Sequence, residues 1–309
     1  MYIVKHRNIF FAITGAITLV AIVSVIAFGL RLGLDFTGGS LVQVTYPEGR
    51  PSALALTESL DKAGFEGYSL REANEQDYIL RAGTMTPGMR ETLSQTLSLD
   101  GESPASVVQL TEVGPTIGSE LRSKALIAII LVLLCILLFI AFAFRKVSNP
   151  VSSWVYGLIA LVTLLHDVIV PVGFFAFLGH FTGAQIDTLF VTAILTILGF
   201  SIHDTIVVFD RTRENLRINE ERNRKEDFAI TAGKSLGQTF VRSINTSLTV
   251  IVTLLVLYVV GPASTRDFAL TLLVGITAGT YSSIFLATPL LVTTERWLAK
   301  RVSGAQKKK

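Results

Sequence analysis

The chain has 309 residues, 50% of them apolar and only 17% charged, with a formal net charge of +3. At a mean hydropathy of +0.56 it has too few polar side chains to cover a soluble surface or to stay disordered, so the class is integral membrane protein. Cys135 is the single cysteine, which excludes a disulfide scaffold, and the scattered basic residues argue against nucleic acid as a partner.

A spanning helix needs about 20 apolar residues. Stretches free of Asp, Glu, Lys and Arg place the first at residues 8–30, framed by Lys5 and Arg7 before it and Arg31 after it. Its apolar region is too long for a signal peptide, so it reads as an uncleaved helix. Residues 31–124 are polar and mixed and form a domain. The second span is 125–144, ending at Arg145 and Lys146, and Asn149-Pro150 opens the next segment. The third is 151–178, with a turn at 179–183 and a kink or break expected at Pro171 and Gly173. The fourth runs over 186–209 and is followed by a charged segment, 210–234. The fifth covers 241–260, closed by Gly261-Pro262, and the sixth covers 268–294 before a basic tail, 295–309.

Six spans put both termini on one side. Lys5, Arg7, Arg145, Lys146, the arginines after the fourth span and Lys307, Lys308 and Lys309 all fall on that side, which the positive-inside rule makes cytoplasmic. Segment 31–124 has eight basic and thirteen acidic residues, a net of −5, and belongs outside. Within it, 39–47 alternates as a strand, 52–65 has helical spacing up to Gly64, and 68–73 and 78–81 read as short strands. Thr86 and Pro87 open a helix over 86–97, and 107–113 is the last strand. The order βαββαβ predicts a small ferredoxin-like α+β sandwich. No nucleophile or metal constellation appears in it, so it reads as a grip for a polypeptide or a partner domain.

Ionisable groups at membrane depth are unfavourable by about 2.5–3.5 kcal/mol each on insertion scales, and by default mark function. Asp204 lies 17 residues after Asp187, and Arg242 lies 18 before Val260. At 1.5 Å per residue these are depths of about 25 and 27 Å from the outer ends, one layer in the cytoplasmic third. Burial and a cation pull a carboxyl in opposite directions, so such a pair can take and release a proton. A static ion pair that fixes helix register is the other reading. Asp167 is a second buried carboxylate, preceded by His166 as Asp204 is preceded by His203. Adjacent helix positions point about 100° apart, so neither dipeptide offers two ligands to one point and no metal site is expected. These residues, with Thr205 and Asn245, read as an accessory polar lining or as interhelical hydrogen bonds. Gly275, Gly279 and Ser283 form a small-residue stripe suited to close helix packing. The Arg-rich segment after Asp210 reads first as ordinary positive-inside charge, with membrane lipid or another protein as the alternative contact.

Three stretches carry a resemblance: GLDFTGGS at 33–40, with Asp35, Gly38 and Gly39; GFSIHDTIVVFDRTREN at 199–215; and RSINTS at 242–247. With His166-Asp167 they resemble the SecD/SecF family of bacterial protein-export membrane proteins, in its SecF branch, over nearly the whole chain. The resemblance implies a subunit that assists the Sec translocon, SecYEG, and uses the proton-motive force to draw preproteins across the inner membrane. The family is related to resistance-nodulation-division exporters, whose core is two six-helix halves, so it implies SecD as the partner half. The family's proton-transport Asp and Arg fall on Asp204 and Arg242. One departure is His203, where the family usually has Asn; His titrates near neutral pH and joins the relay or merely replaces a packing group. The coupling ion is H⁺, with Na⁺ the alternative, and no other cofactor is implied. No hydrolytic or redox site appears and no Walker loop, so the chain reads as a non-enzyme that does not handle ATP. The competing classes are a non-transporting assembly subunit and half of a small-molecule exporter.

Overall fold

The computed structural model of the chain describes residues 2–73, 75–145 and 150–306. Lys146 and Asn149, and Lys307, Lys308 and Lys309, lie outside the described residues. Two compact units result, Leu32–Leu126 and the pair of segments Met1–Arg31 and Ile127–Lys309.

In chain order, one turn, α1 (Tyr2–Lys5), precedes the long helix α2 (Arg7–Phe28). The turn α3 (Leu34–Thr37) then leads into β1 (Gly39–Thr45), α4 (Ala53–Lys62), β2 (Ser69–Glu72), β3 (Asp77–Ala82), α5 (Pro87–Leu97) and β4 (Ser106–Val113). The four strands are antiparallel in the order β2-β3-β1-β4, the split-βαβ arrangement that the alternation and helix spacing predicted. Val42 and Val44 of β1 point to one face with Tyr78 and Leu80 of β3. Leu56 and Leu60 of α4, and Leu93 and Leu97 of α5, cover that face. Caps set the helix starts: Ser52 accepts from the Ala55 amide and Thr86 from the Met89 amide, with Pro87 pre-set in the first turn.

Among the described residues, six helices are long and apolar enough to cross a membrane. After α2 these are α6 (Pro115–Ala143), α7 (Ser153–Thr182), α8 (Thr188–Glu221) and α9 (Phe228–Val260). The sixth joins α10 (Ala263–Ser282) to α11 (Thr288–Gln306) through a π-helical turn at Ser283–Ala287. Helix α7 touches α2, α8 and α10, and α9 touches α8 and α10.

Several boundaries differ from the sequence reading, because a charge-free window measures the bilayer core rather than the helix. Helix α6 begins inside the segment assigned to the outer domain, 31–124, at Pro115, and its polar turns hold a Glu120–Lys124 pair at 2.6 Å. Most of the charged segment 210–234 is helix as well: α8 runs on to Glu221 and α9 starts at Phe228, capped by Asp227. Part of the tail continues as α11. Helix α7 is not broken at Pro171 or Gly173, and 179–182 is its last turn, closed by Gly183 in the left-handed region at φ 70°. Gly173 serves close packing. A Cβ there would lie 2.4 Å from the Cα of Ala21 on α2. The π-helical turn was not foreseen. It sits just before Pro289, which lacks an N–H and crowds the carbonyl four residues back, so a local widening relieves it.

Candidate functional site

Most of the polar chemistry of the bundle lies where α7, α8, α9 and α10 meet. Helix α8 buries Ser201, Asp204 and Thr205 over little more than one turn. Small residues let α10 approach: a Cβ on Gly275 would fall 2.1 Å from Ile197, and one on Gly279 would fall 2.8 Å from the Cβ of Ser201. One step further, Ser283 and Thr205 share a hydroxyl hydrogen bond at 3.0 Å. Partners rise together along both chains, four residues at a time, so α8 and α10 run parallel and the stripe is their seam.

Two carboxylates sit in hydroxyl cages around this seam. Asp204, 3% exposed, accepts from Ser247 of α9 at 3.3 Å, and Ser247 accepts in turn from Thr280 of α10 at 2.7 Å. Asp167, fully buried on α7, accepts at Oδ2 from Ser201 and from Ser282, the latter at 2.9 Å. Its Oδ1 contacts His166 Nδ1 at 2.9 Å. Hydroxyls hold both carboxylates, His166 adds a ring nitrogen at Asp167, and no Lys or Arg is paired to either among the described residues.

Among the described residues Arg242 makes no ion pair with Asp204, although its charge reaches the carboxyl. On α9, Ser243 and Ser247 are four residues apart and face inward, whereas Arg242 is rotated about 100° from Ser243 and is exposed. His203 and Asn245 are exposed too. Depth arithmetic placed Asp204 and Arg242 in one layer, but depth does not fix rotation. The hydroxyl partners Ser201, Ser247, Thr280 and Ser282 escaped the sequence reading, since Ser and Thr are common in such helices and these come from distant segments.

Outside the bundle interior, Gly38 and Gly39 have φ of 73° and 125°, and Asp35 lies in the short α3 turn before them. A Cβ on Gly38 would meet Pro115 at 2.8 Å, and one on Gly39 the Ala82 carbonyl at 2.6 Å. The glycines therefore join α3 to the sheet and to the start of α6. Between α8 and α9, Lys234 hydrogen-bonds Glu226 and holds its carboxyl below the usual range, helped by Thr231 and Asn219.

Comparison with known proteins gives this arrangement a family. The model for "Protein export membrane protein SecD/SecF, C-terminal" matches residues 93–297, and that for the "SecD/SecF GG Motif" matches 23–46. The chain belongs to the SecD/SecF family. A protein translocase subunit SecF from Thermobaculum terrenum is 42% identical over 95% of this chain and 93% of its own length. The SecF of Pseudomonas aeruginosa is 33% identical over 93% of this chain and 89% of its own. The crystal structure of SecDF, a translocon-associated membrane protein from Thermus thermophilus, superposes with a TM-score of 0.82 at 30% identity. That likeness covers 96% of this chain but only 39% of the SecDF chain. The chain is thus a multi-pass SecF-type subunit of the protein translocase. The two motif stretches carrying the resemblance in the bundle hold Ser201 with Asp204, and Arg242 with Ser243 and Ser247, so the cages are built largely from family segments.

Proposed function

We propose that the chain couples the proton-motive force to preprotein translocation across the bacterial inner membrane, as the half-core that pairs with SecD beside SecYEG. Both termini are cytoplasmic, and the α+β domain is periplasmic, where it meets the emerging preprotein or the matching domain of SecD. The chain acts as a transport subunit rather than an enzyme, with H⁺ as the coupling ion, Na⁺ as the alternative and no other cofactor. The observation that carries this reading is Asp204: a carboxylate 3% exposed, held by the Ser247 hydroxyl, which Thr280 backs in turn, and without an ion-paired cation among the described residues. A carboxylate locked to an arginine is a static device, whereas one held by hydroxyls can change protonation without breaking an ion pair. Arg242, exposed on α9, is then the charge that approaches when the helices rearrange.

An assembly-only subunit is the second reading, favoured by the exposed Arg242, His203 and Asn245, which a partner half would cover. Half of a small-molecule exporter is disfavoured by the small size of the α+β domain. Proton flux separates the first two. Sealed vesicles carrying the full complex are given a pH gradient, and an entrapped pH dye is read for the parent and for Asp204→Asn. The coupling reading expects the Asp204-dependent flux to vanish with complex levels unchanged. Equal flux in both would leave the assembly reading.

A further inference from the structure

The structure assigns a second proton-binding site to this bundle: the His166–Asp167 dyad of α7, with the Ser282 hydroxyl of α10 as its switch. The inference rests on the proton-coupling reading for its purpose, but its geometry is independent of Asp204.

Three observations point to it. Asp167 is fully buried and His166 is 5% exposed, so the dyad is sealed among helices. His166 Nδ1 lies 2.9 Å from Asp167 Oδ1, which keeps a proton on Nδ1 and turns the lone pair of Nε2 outward from the pair. That Nε2 is buried and has no hydrogen-bond partner among the described residues. An orphaned buried acceptor is unfavourable by about 1–3 kcal/mol, so a purely structural histidine would be placed otherwise. The ring is instead poised to receive a proton.

The third observation is that the cage suits both charge states of the acid. Ser282 Oγ lies 2.9 Å from Asp167 Oδ2 and 3.1 Å from the Gly279 carbonyl. With Asp167 ionised, the Ser282 hydroxyl donates to Oδ2. With Asp167 protonated, the same hydroxyl rotates to the Gly279 carbonyl, and its oxygen accepts from the new acid O–H. Uptake proceeds in two transfers. A proton bonds to His166 Nε2, and the Nδ1 proton then passes to Asp167 Oδ1, leaving a neutral imidazole with its proton on Nε2 and a neutral acid. The acid proton reaches Ser282 by rotation of the carboxyl group. That rotation exchanges the two carboxyl oxygens, and the helices themselves need not move.

Other titratable groups on the elements packed against α7 do not bond the dyad. Tyr281 of α10 turns its hydroxyl to the Phe10 carbonyl and Thr14. On α8, His203 is exposed and Asp204 belongs to the Ser247 cage. Cys135 on α6 is exposed, the charges of α11 lie from Glu295 onward, and α2 has none beyond Arg7.

The test is pH-difference infrared spectroscopy on the purified full-length chain in lipid vesicles, reading the C=O stretch of protonated carboxyls. The parent should show a band that Asp167→Asn removes and Asp204→Asn keeps. Ser282→Ala should shift that band while keeping it, because the acid loses its hydroxyl partner, and this milder variant answers the question if Asp167→Asn folds poorly. His166→Gln should slow the band's appearance after a pH jump several-fold. A difference spectrum unchanged by both Asp167→Asn and Ser282→Ala would overturn the site. Loss of flux dependence on Asp204 with the Asp167 band intact would sink the coupling reading alone.

Discussion

The two units of this chain solve opposite solvent problems. In the α+β domain Val42, Val44, Leu56, Leu60 and Leu80 are buried together, and few polar side chains, Ser40, Asp77 and Thr96 among them, are buried with them. In the bundle Ile130, Leu131, Phe139, Phe142 and Val252 are exposed, while Thr163, Asp167, Ser201, Asp204, Thr205 and Ser282 are buried. Lipid tails are as apolar as leucine, so apolar burial does not drive helices together; close packing and interhelical hydrogen bonds do. The domain is therefore built on large apolar side chains, and the bundle adds glycine packing and buried hydroxyls to an apolar core that includes Leu164, Leu198 and Phe209.

The largest effect that sharpens this contrast belongs to the domain. Leu80→Ala should destabilise it by about 2–5 kcal/mol and raise amide exchange across β1 and β3, with exchange in α7 and α8 unchanged. The counterpart in the bundle is the smallest change available, one methyl group. Gly173→Ala meets backbone atoms of Ala21 and should loosen α2 from α7 by about 1–3 kcal/mol, read as protease cleavage within α2 while the sheet stays protected.

Smaller effects come from single polar groups. Tyr46 donates from its buried hydroxyl to the Leu97 carbonyl at 2.8 Å, and burial, then the neighbouring Tyr78, raises its phenol well above the ordinary range. It stays a neutral donor at any working pH, and Tyr46→Phe should remove about 1 kcal/mol, seen as a lower urea midpoint for the domain. The Glu226–Lys234 pair is weaker. Its lowered folded pKa means the pairing stabilises above the ordinary carboxylate value and fades as pH falls through the lowered one. Lys234→Ala should therefore raise amide exchange at the α8–α9 turn slightly at neutral pH, by about 0.2–1 kcal/mol, and change nothing in strong acid.

What the sequence made legible follows the same division. Alternation and caps located the four strands and the two longer helices, α4 and α5, within a few residues, because Ser52, Thr86, Pro87 and Gly64 are local signals, but not the short α3 turn. In the bundle, hydropathy found six spans but not their ends, since Glu120, Arg217 and Lys234 continue helices beyond the apolar window. Charge at depth found Asp167 and Asp204. Their partners were hidden, since Ser282 reaches Asp167 across 115 residues and Ser247 reaches Asp204 across 43. Arg242 shows the limit of depth arithmetic, because one step along α9 turns a side chain from the core to the surface.

The central claim is that buried carboxylates of the bundle drive export. Its most direct test is preprotein translocation into sealed inverted membrane vesicles, comparing the parent with Asp204→Asn while the pH and Na⁺ gradients are varied separately and complex levels are followed by blot. The account predicts that the gradient-dependent part of export disappears in Asp204→Asn, that complex levels hold, and that the pH gradient is the one that mattered. Export that keeps its full gradient dependence in Asp204→Asn would contradict it.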